Sequence, residues 1–247
     1  MITSPRIRRQ LQRCESWPEL FAQEQWTVYK RVMAAARKRD IPFAVGGGLC
    51  AMTYAGQWRN TKDIDLYVLP QDREKMIVLL ADLGLRDYYE QLAYDRNWIY
   101  RSYTGDTIVD VMWAMANQRS QVTEAWLAGP EVEADGERFR LLSPEKSLWT
   151  KLYVLQHDRT DWPDALNLLH GVGPDLDWRA MLQDVGADRP LLAGLVSIFE
   201  WLCPEAASEL PVWLWAELHL EPPQAESPDK CRSRAALLDS RPWFATG

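Results

Sequence analysis

The sequence predicts an α/β (α+β) chain, a mixed sheet interleaved with helices and followed by a helical domain. Between residues 42 and 142, short apolar runs bounded by turn residues alternate with stretches at helical period. From Ser143 onward the helical period continues and no convincing strand follows. The domain boundaries that result are 1–142 for an N-terminal helix plus the sheet domain, 143–220 for the helical domain, and 221–247 for a tail. That tail, rich in Pro, Ser and charge, is expected to be loosely ordered.

Taken in order, Pro18 to Asp40 reads as a helix, with Phe21, Val28, Val32, Met33 and Ala36 on one stripe and a cationic last turn, "ARKRD". "PFAV" (42–45) is a short strand that breaks at Gly46-Gly47-Gly48 before a short helix, "LCAMTYAG", ended by Gly56. "DIDLYVL" (63–69) is a second strand, with Asp63, Asp65 and Tyr67 on one face and Ile64, Leu66 and Val68 on the other. An amphipathic helix over 71–83 closes at Gly84. "NWIYRSY" and "TIVDVMW", joined by "TGD", form a hairpin, and "EVEADGERFRLL" forms another around Asp135-Gly136. Ser143 and Pro144 then supply a helix cap and first helical residue ahead of "EKSLWTKLYVLQHD".

Composition narrows the function classes. A net charge of -7, from 28 Lys+Arg against 35 Asp+Glu, argues against a general polyanion-coating protein. Residues 1–40 run the other way, with nine basic and four acidic residues, and read most simply as a solvated helix face. Cys14, Cys50, Cys203 and Cys231 show no zinc or redox spacing, and His157, His170 and His219 show no ligand or triad spacing. No apolar run approaches the ~20 residues of a membrane helix and no secretory leader is evident, so the cytoplasm is the expected location. The thirteen tryptophans read mostly as core residues.

The chemistry concentrates in "VGGGLCAMTYAGQWRNTKDIDLYVLP". Asp63 and Asp65, two apart on a strand, project from one face and repel unless a cation lies between them. Mg²⁺ (or Mn²⁺) prefers such oxygen ligands and commonly binds through one or two carboxylates plus substrate phosphates. Asp110 interrupts the apolar "TIVDVMW"; if that strand lies beside the Asp63 strand, three carboxylates form a site for one or two metals, with Asp110 a candidate to take the acceptor's proton. Gly47 and Gly48, where a strand gives way to a helix, expose backbone N–H groups to which phosphate can dock. "GGGLCAM" is neither the dinucleotide fingerprint nor a Walker loop. Arg59 either bridges to Asp63 or holds a phosphate, and for Arg96 and Arg101 a solvated position stands beside a substrate contact.

Gly47-Gly48, then "RNTKDIDLYV", then Asp110 resemble the nucleotidyltransferase superfamily with its polymerase-beta-like fold. Within it, "GG…R.T.DIDL" looks most like the abortive-infection toxin and lincosamide-modifying types. The resemblance covers residues 40–115 and implies Mg²⁺-dependent transfer of a nucleoside monophosphate from an NTP such as ATP to an acceptor, with pyrophosphate released. The acceptor stays open among RNA such as tRNA, a protein hydroxyl and an antibiotic-like small molecule. A weaker similarity, in "PEKSLWTKLYVLQHDRTDWPDALNLL", implies a triphosphate contact for Lys151 and a supporting role for Asp161 or Asp164, with Pro163 departing from the family's helical pattern. The alternative function is a nucleotide-binding or partner-binding module on the same fold, including a toxin–antitoxin component with a partner protein.

Overall fold

The computed structural model describes residues 4–58 and 61–244. Arg59 lies outside them. The chain opens with α1 (Pro5–Leu11) and a 3-10 stretch over Gln12–Leu20, then runs α2 (Gln23–Lys38), β1 (Phe43–Val45), α3 (Gly47–Ala55), β2 (Asp63–Val68), α4 (Arg73–Asp82), β3 (Arg86–Asp87), β4 (Ile99–Thr104), β5 (Thr107–Met112), α5 (Glu124–Leu127), β6 (Glu131–Ala134) and β7 (Glu137–Leu141). Two compact units result. One comprises the described residues of Leu11–Cys50 and Arg59–Ser143, the other those of Met1–Gln10, Ala51–Trp58 and Pro144–Gly247.

The first unit is built on one mixed sheet in the order β3-β4-β5-β2-β1-β7-β6. β2 runs parallel to β5 and β1 parallel to β7, while the remaining pairs are antiparallel. Period-two alternation buries Ile64, Leu66, Val109 and Val111 on one face, where Ser102 Oγ also donates to the Val109 carbonyl at 2.9 Å. Burying these four aliphatic side chains contributes roughly 1.5–3 kcal/mol each, enough to fix the register. The β6–β7 hairpin turns at Asp135-Gly136, both at positive φ (51° and 76°), and Lys30 and Trp26 of α2 hydrogen-bond the Asp135 carboxylate.

The first long helix begins at Gln23, five residues later than the apolar stripe predicts. Phe21 is extended (φ -118°, ψ 158°) and ends the 3-10 segment, which carries Pro18 inside it and buries Trp17 against Phe139 at 5.3 Å. β3, only two residues long, is too short to leave an alternation signal.

The helical unit continues with α6 (Pro144–Leu152), α7 (Trp162–Val172), α8 (Trp178–Val185), α9 (Arg189–Leu202), α10 (Pro204–Ala207), α11 (Val212–Glu217) and α12 (Pro228–Leu238). Its core includes Leu148, Leu152, Leu166, Leu169, Trp178, Leu195 and Phe199. The grouping sets α1 with these helices although it precedes the sheet in the chain. Ser4 Oγ donates to Asp175 at 2.8 Å and Arg6 to Glu209 at 2.6 Å. Within the stretch whose composition predicts loose order, 228–238 is helical, because Ser227 caps the Lys230 N–H, Pro228 fits the first turn, and Arg234 donates to the Trp201 carbonyl at 3.1 Å. No helix among the described residues is long and apolar enough to cross a membrane.

Candidate active site

Three strands bring the charged residues of the first unit together. β2 and β5 pair Asp65 with Asp110, and β5 and β4 pair Asp110 with Arg101, so these three side chains lie side by side on one face across adjacent strands. Asp63 lies two residues before Asp65 on that face. Asp63, Asp65 and Asp110 each present a carboxylate oxygen within 4.8 Å of the others. Their burial is graded, with Asp110 only 1% exposed, Asp65 8%, and the Asp63 side chain 33%. At an effective dielectric of ~20, two carboxylates this close repel by at least roughly 3 kcal/mol, so the cluster requires positive charge.

The glycine turn abuts the same carboxylates. Gly47 starts α3 at φ +57°, and a Cβ there would lie 1.5 Å from Asp65 Oδ2. Only glycine allows both that conformation and that approach. Next to it, the Gly46 N–H donates to the Asp65 carbonyl at 2.9 Å, and a Cβ on Gly46 would meet the Tyr67 ring at 2.3 Å. As the first residues of α3, Gly47 and Gly48 have N–H groups with no acceptor inside the helix. The two oddities of the sequence, glycines after one strand and aspartates at the next, are thus in direct contact.

Around the carboxylates lie groups that the sequence reading passed over. Thr61 Oγ1 donates to Asp63 Oδ1 at 2.7 Å, and Gln25 of α2 donates to the Tyr29 hydroxyl at 2.7 Å and to the Thr61 carbonyl at 3.5 Å. Tyr29 is fully buried; burial, joined by the fields of Asp63, Asp65 and Asp110 and opposed by the Gln25 hydrogen bond, pushes its phenol well above its ordinary pKa and keeps it neutral. Arg101, read from sequence as solvated or substrate-facing, forks onto Asp110. Its Nε donates to Oδ1 at 2.9 Å and to Oδ2 at 3.2 Å, its Nη2 donates to Oδ2 at 2.5 Å, and Nη2 lies 3.8 Å from Asp63 Oδ2. The hydrogen bond to Asp110 raises the guanidinium pKa further, so it stays charged. A signal for this pair exists in the sequence: three residues out from the Thr104–Thr107 hairpin closure, on opposite sides, stand Arg101 and Asp110.

In the helical unit, Lys151 is 5% exposed, and its Nζ lies 2.7 Å from Asp161 and 3.0 Å from Asp164. Arg159 also reaches Asp161 at 3.1 Å, which leaves the cluster electrically neutral. Burial disfavours the charged ammonium, yet the carboxylates of Asp164 and Asp161 outweigh it and hold its pKa above the ordinary lysine value. Pro163 fits because Asp161 is the N-cap of α7 and Pro163 lies in its first turn, while Asp164 points back to Lys151. The turn ahead of α7 is closed by Asp161 N–H to the Val154 carbonyl (2.9 Å) and Gln156 N–H to the Arg159 carbonyl (2.8 Å).

The three-carboxylate set offers oxygen donors alone, the chemistry of hard divalent cations, and the backbone at Gly47 leaves no side chain against it. A mixed sheet that sets Gly-Gly at a helix start against Asp-x-Asp, with a third Asp on the parallel neighbour, defines the nucleotidyltransferase class. The chain belongs to the family described as uncharacterised nucleotidyltransferase, whose profile it matches over residues 2–202, and it is an enzyme of that class. Among solved structures it is similar to the antibiotic-resistance factor ANT(2'')-Ia (23% identity, 72% of this chain and 92% of that one, TM-score 0.45). It is also similar to the lincosamide antibiotic adenylyltransferase LnuA (17%, 60% and 96%, 0.43) and to a CCA-adding enzyme in complex with ATP (12%, 91% and 60%, 0.34). At such scores these likenesses carry no argument about substrate. No curated protein matches the chain.

Proposed function

We propose that this nucleotidyltransferase moves a nucleoside monophosphate from an NTP to an acceptor hydroxyl with the help of Mg²⁺ or Mn²⁺ and releases pyrophosphate. The observation that carries the reading is the convergence of Asp63, Asp65 and Asp110 within 4.8 Å, in contact with the backbone of Gly47. Asp63 and Asp65 hold the cation, with Asp110 as third ligand or proton acceptor. Bound there, the cation supplies charge neutralisation for the phosphates and the leaving group. The first N–H groups of α3, at Gly47 and Gly48, receive phosphate oxygens, aided by the helix dipole. Thr61 fixes the Asp63 carboxylate in place.

In the transfer, the acceptor oxygen forms a bond to the α-phosphorus as the bond to the pyrophosphate oxygen breaks, and the hydroxyl proton passes to a carboxylate of the cluster, Asp110 being the candidate. For Lys151, whose ammonium pairs with Asp161 and Asp164, the triphosphate contact is proposed on the family resemblance alone. Incubation with each α-labelled NTP, Mg²⁺ and a panel of tRNA, cell extract, aminoglycosides and lincosamides tests the reading and selects the acceptor class. Label transfer lost in Asp63→Asn and Asp65→Asn supports it. NTP binding without transfer to any acceptor, equal in those variants and the native protein, overturns it in favour of a binding module.

A further inference from the structure

We propose that Arg101 is a built-in counter-cation of the carboxylate cluster: its guanidinium occupies Asp110 while no divalent cation is bound and must release it before all three aspartates can hold one. The inference rests on the metal reading above and assigns the residue that governs access to that site. Asp110 is almost wholly buried, and a buried carboxylate left unpaired is strongly unfavourable. Both of its oxygens accept from Arg101, and the same Nη2 leans towards Asp63 at 3.8 Å.

The surroundings hold the backbone of Arg101 and leave its side chain room to move. The Tyr94 hydroxyl accepts from the Arg101 N–H at 3.0 Å and shares its proton between Asp87 (3.1 Å) and the Arg101 carbonyl (3.3 Å), and the β4–β5 pairing holds the same residue, so β4 is fixed here. The side chain is about a third exposed (32%), and its Cζ already lies over the Tyr88 ring, 5.8 Å from the centre, an aromatic face within reach of a guanidinium that leaves Asp110. A divalent ion and a guanidinium sharing Asp110 would repel each other. Arrival of the ion therefore favours the swing of Arg101 away, and its departure favours the return.

The test titrates Mn²⁺, in the absence of NTP, into the native protein and into Arg101→Met, Arg101→Lys and Asp65→Asn, with free Mn²⁺ read by EPR. Removing the guanidinium charge should tighten Mn²⁺ binding about tenfold, the effect of unit and double charges roughly 5 Å apart even at the dielectric of water. Arg101→Lys, which keeps the charge and loses the fork, should tighten it by a smaller factor, and this variant decides the matter if Arg101→Met does not fold. Thermal unfolding supplies a second readout, with metal-free Arg101→Met less stable than the native protein and gaining more from added Mn²⁺. Unchanged or weaker Mn²⁺ binding in both Arg101 variants, with binding lost in Asp65→Asn, overturns the counter-cation role and leaves the metal site standing. If Mn²⁺ binds neither the native protein nor the Arg101 variants, or binds Asp65→Asn as it binds the native protein, the metal reading fails and this inference with it.

Discussion

Substituting alanine at Gly47 separates backbone strain from damage to the carboxylate cluster. The new Cβ would lie 1.5 Å from Asp65 Oδ2, whereas real contacts essentially never fall below 3.0 Å, so the carboxylate or the turn must retreat by at least 1.5 Å. The φ of +57° adds a left-handed penalty of about 1–2 kcal/mol for a side-chain-bearing residue. For a chain of this size that strain corresponds to about 2–8 °C in Tm. Displacing a reacting group by about 1 Å can reduce rate about a hundredfold, so NTP-dependent label transfer should fall by about that factor or more. Gly84→Ala is the control, since Gly84 has φ +83° and open space where its Cβ would be. Both variants should lose Tm in differential scanning calorimetry, Gly47→Ala by more because the clash adds to the strain, and only Gly47→Ala should lose Mn²⁺ binding and transfer. If Gly47→Ala binds Mn²⁺ and transfers label as Gly84→Ala does, the contact between the glycine turn and Asp65 has no part in the site.

Lys151→Met leaves Asp161 and Asp164 without their shared ammonium, and urea unfolding should show a loss of about 3–5 kcal/mol; a loss under about 1 kcal/mol would contradict the buried cluster. Because the carboxylates hold the Lys151 pKa above its ordinary value, the stabilisation it gives is complete below that ordinary value and disappears as pH rises through the folded one. The stability gap between the native protein and Lys151→Met should therefore narrow above about pH 10.4. Burial lowers the His170 pKa, so the folded chain resists protonation there and loses stability as pH falls below about 6.5. His170→Phe, which can keep a ring against Phe244, should show a smaller loss in acid unfolding curves.

Much of the sheet was legible because its signals are local. Alternation marked β2 and β5, the Asp135-Gly136 pair marked the β6–β7 turn, and the Ser143-Pro144 cap marked the start of α6. The convergence of Asp63, Asp65 and Asp110 was expected on the condition that their strands be neighbours, and the parallel β2–β5 register meets it. What escaped depends on long-range partners. Thr61, Gln25 and Tyr29 are ordinary polar residues until α2 packs beside the cluster, and nothing in their local sequence marks them. Arg101 was noticed without its partner, although hairpin counting points to Asp110. For Lys151 the sequence marks a lysine beside an apolar stripe with an anion to meet. Two aspartates beyond the next turn fill that place, a pairing that depends on how the chain doubles back at 153–161.

Three carboxylates beside a glycine turn are proposed to hold a divalent cation for nucleotidyl transfer. The most direct test of this role is the rate of transfer from α-labelled NTP in cell extract, measured for the native protein, for Asp65→Asn, and for the native protein with excess EDTA. Label should reach an acceptor with the native enzyme in Mg²⁺, stay at background with EDTA, and fall at least about a thousandfold in Asp65→Asn. Transfer that continues at the native rate in Asp65→Asn or under EDTA would contradict that role.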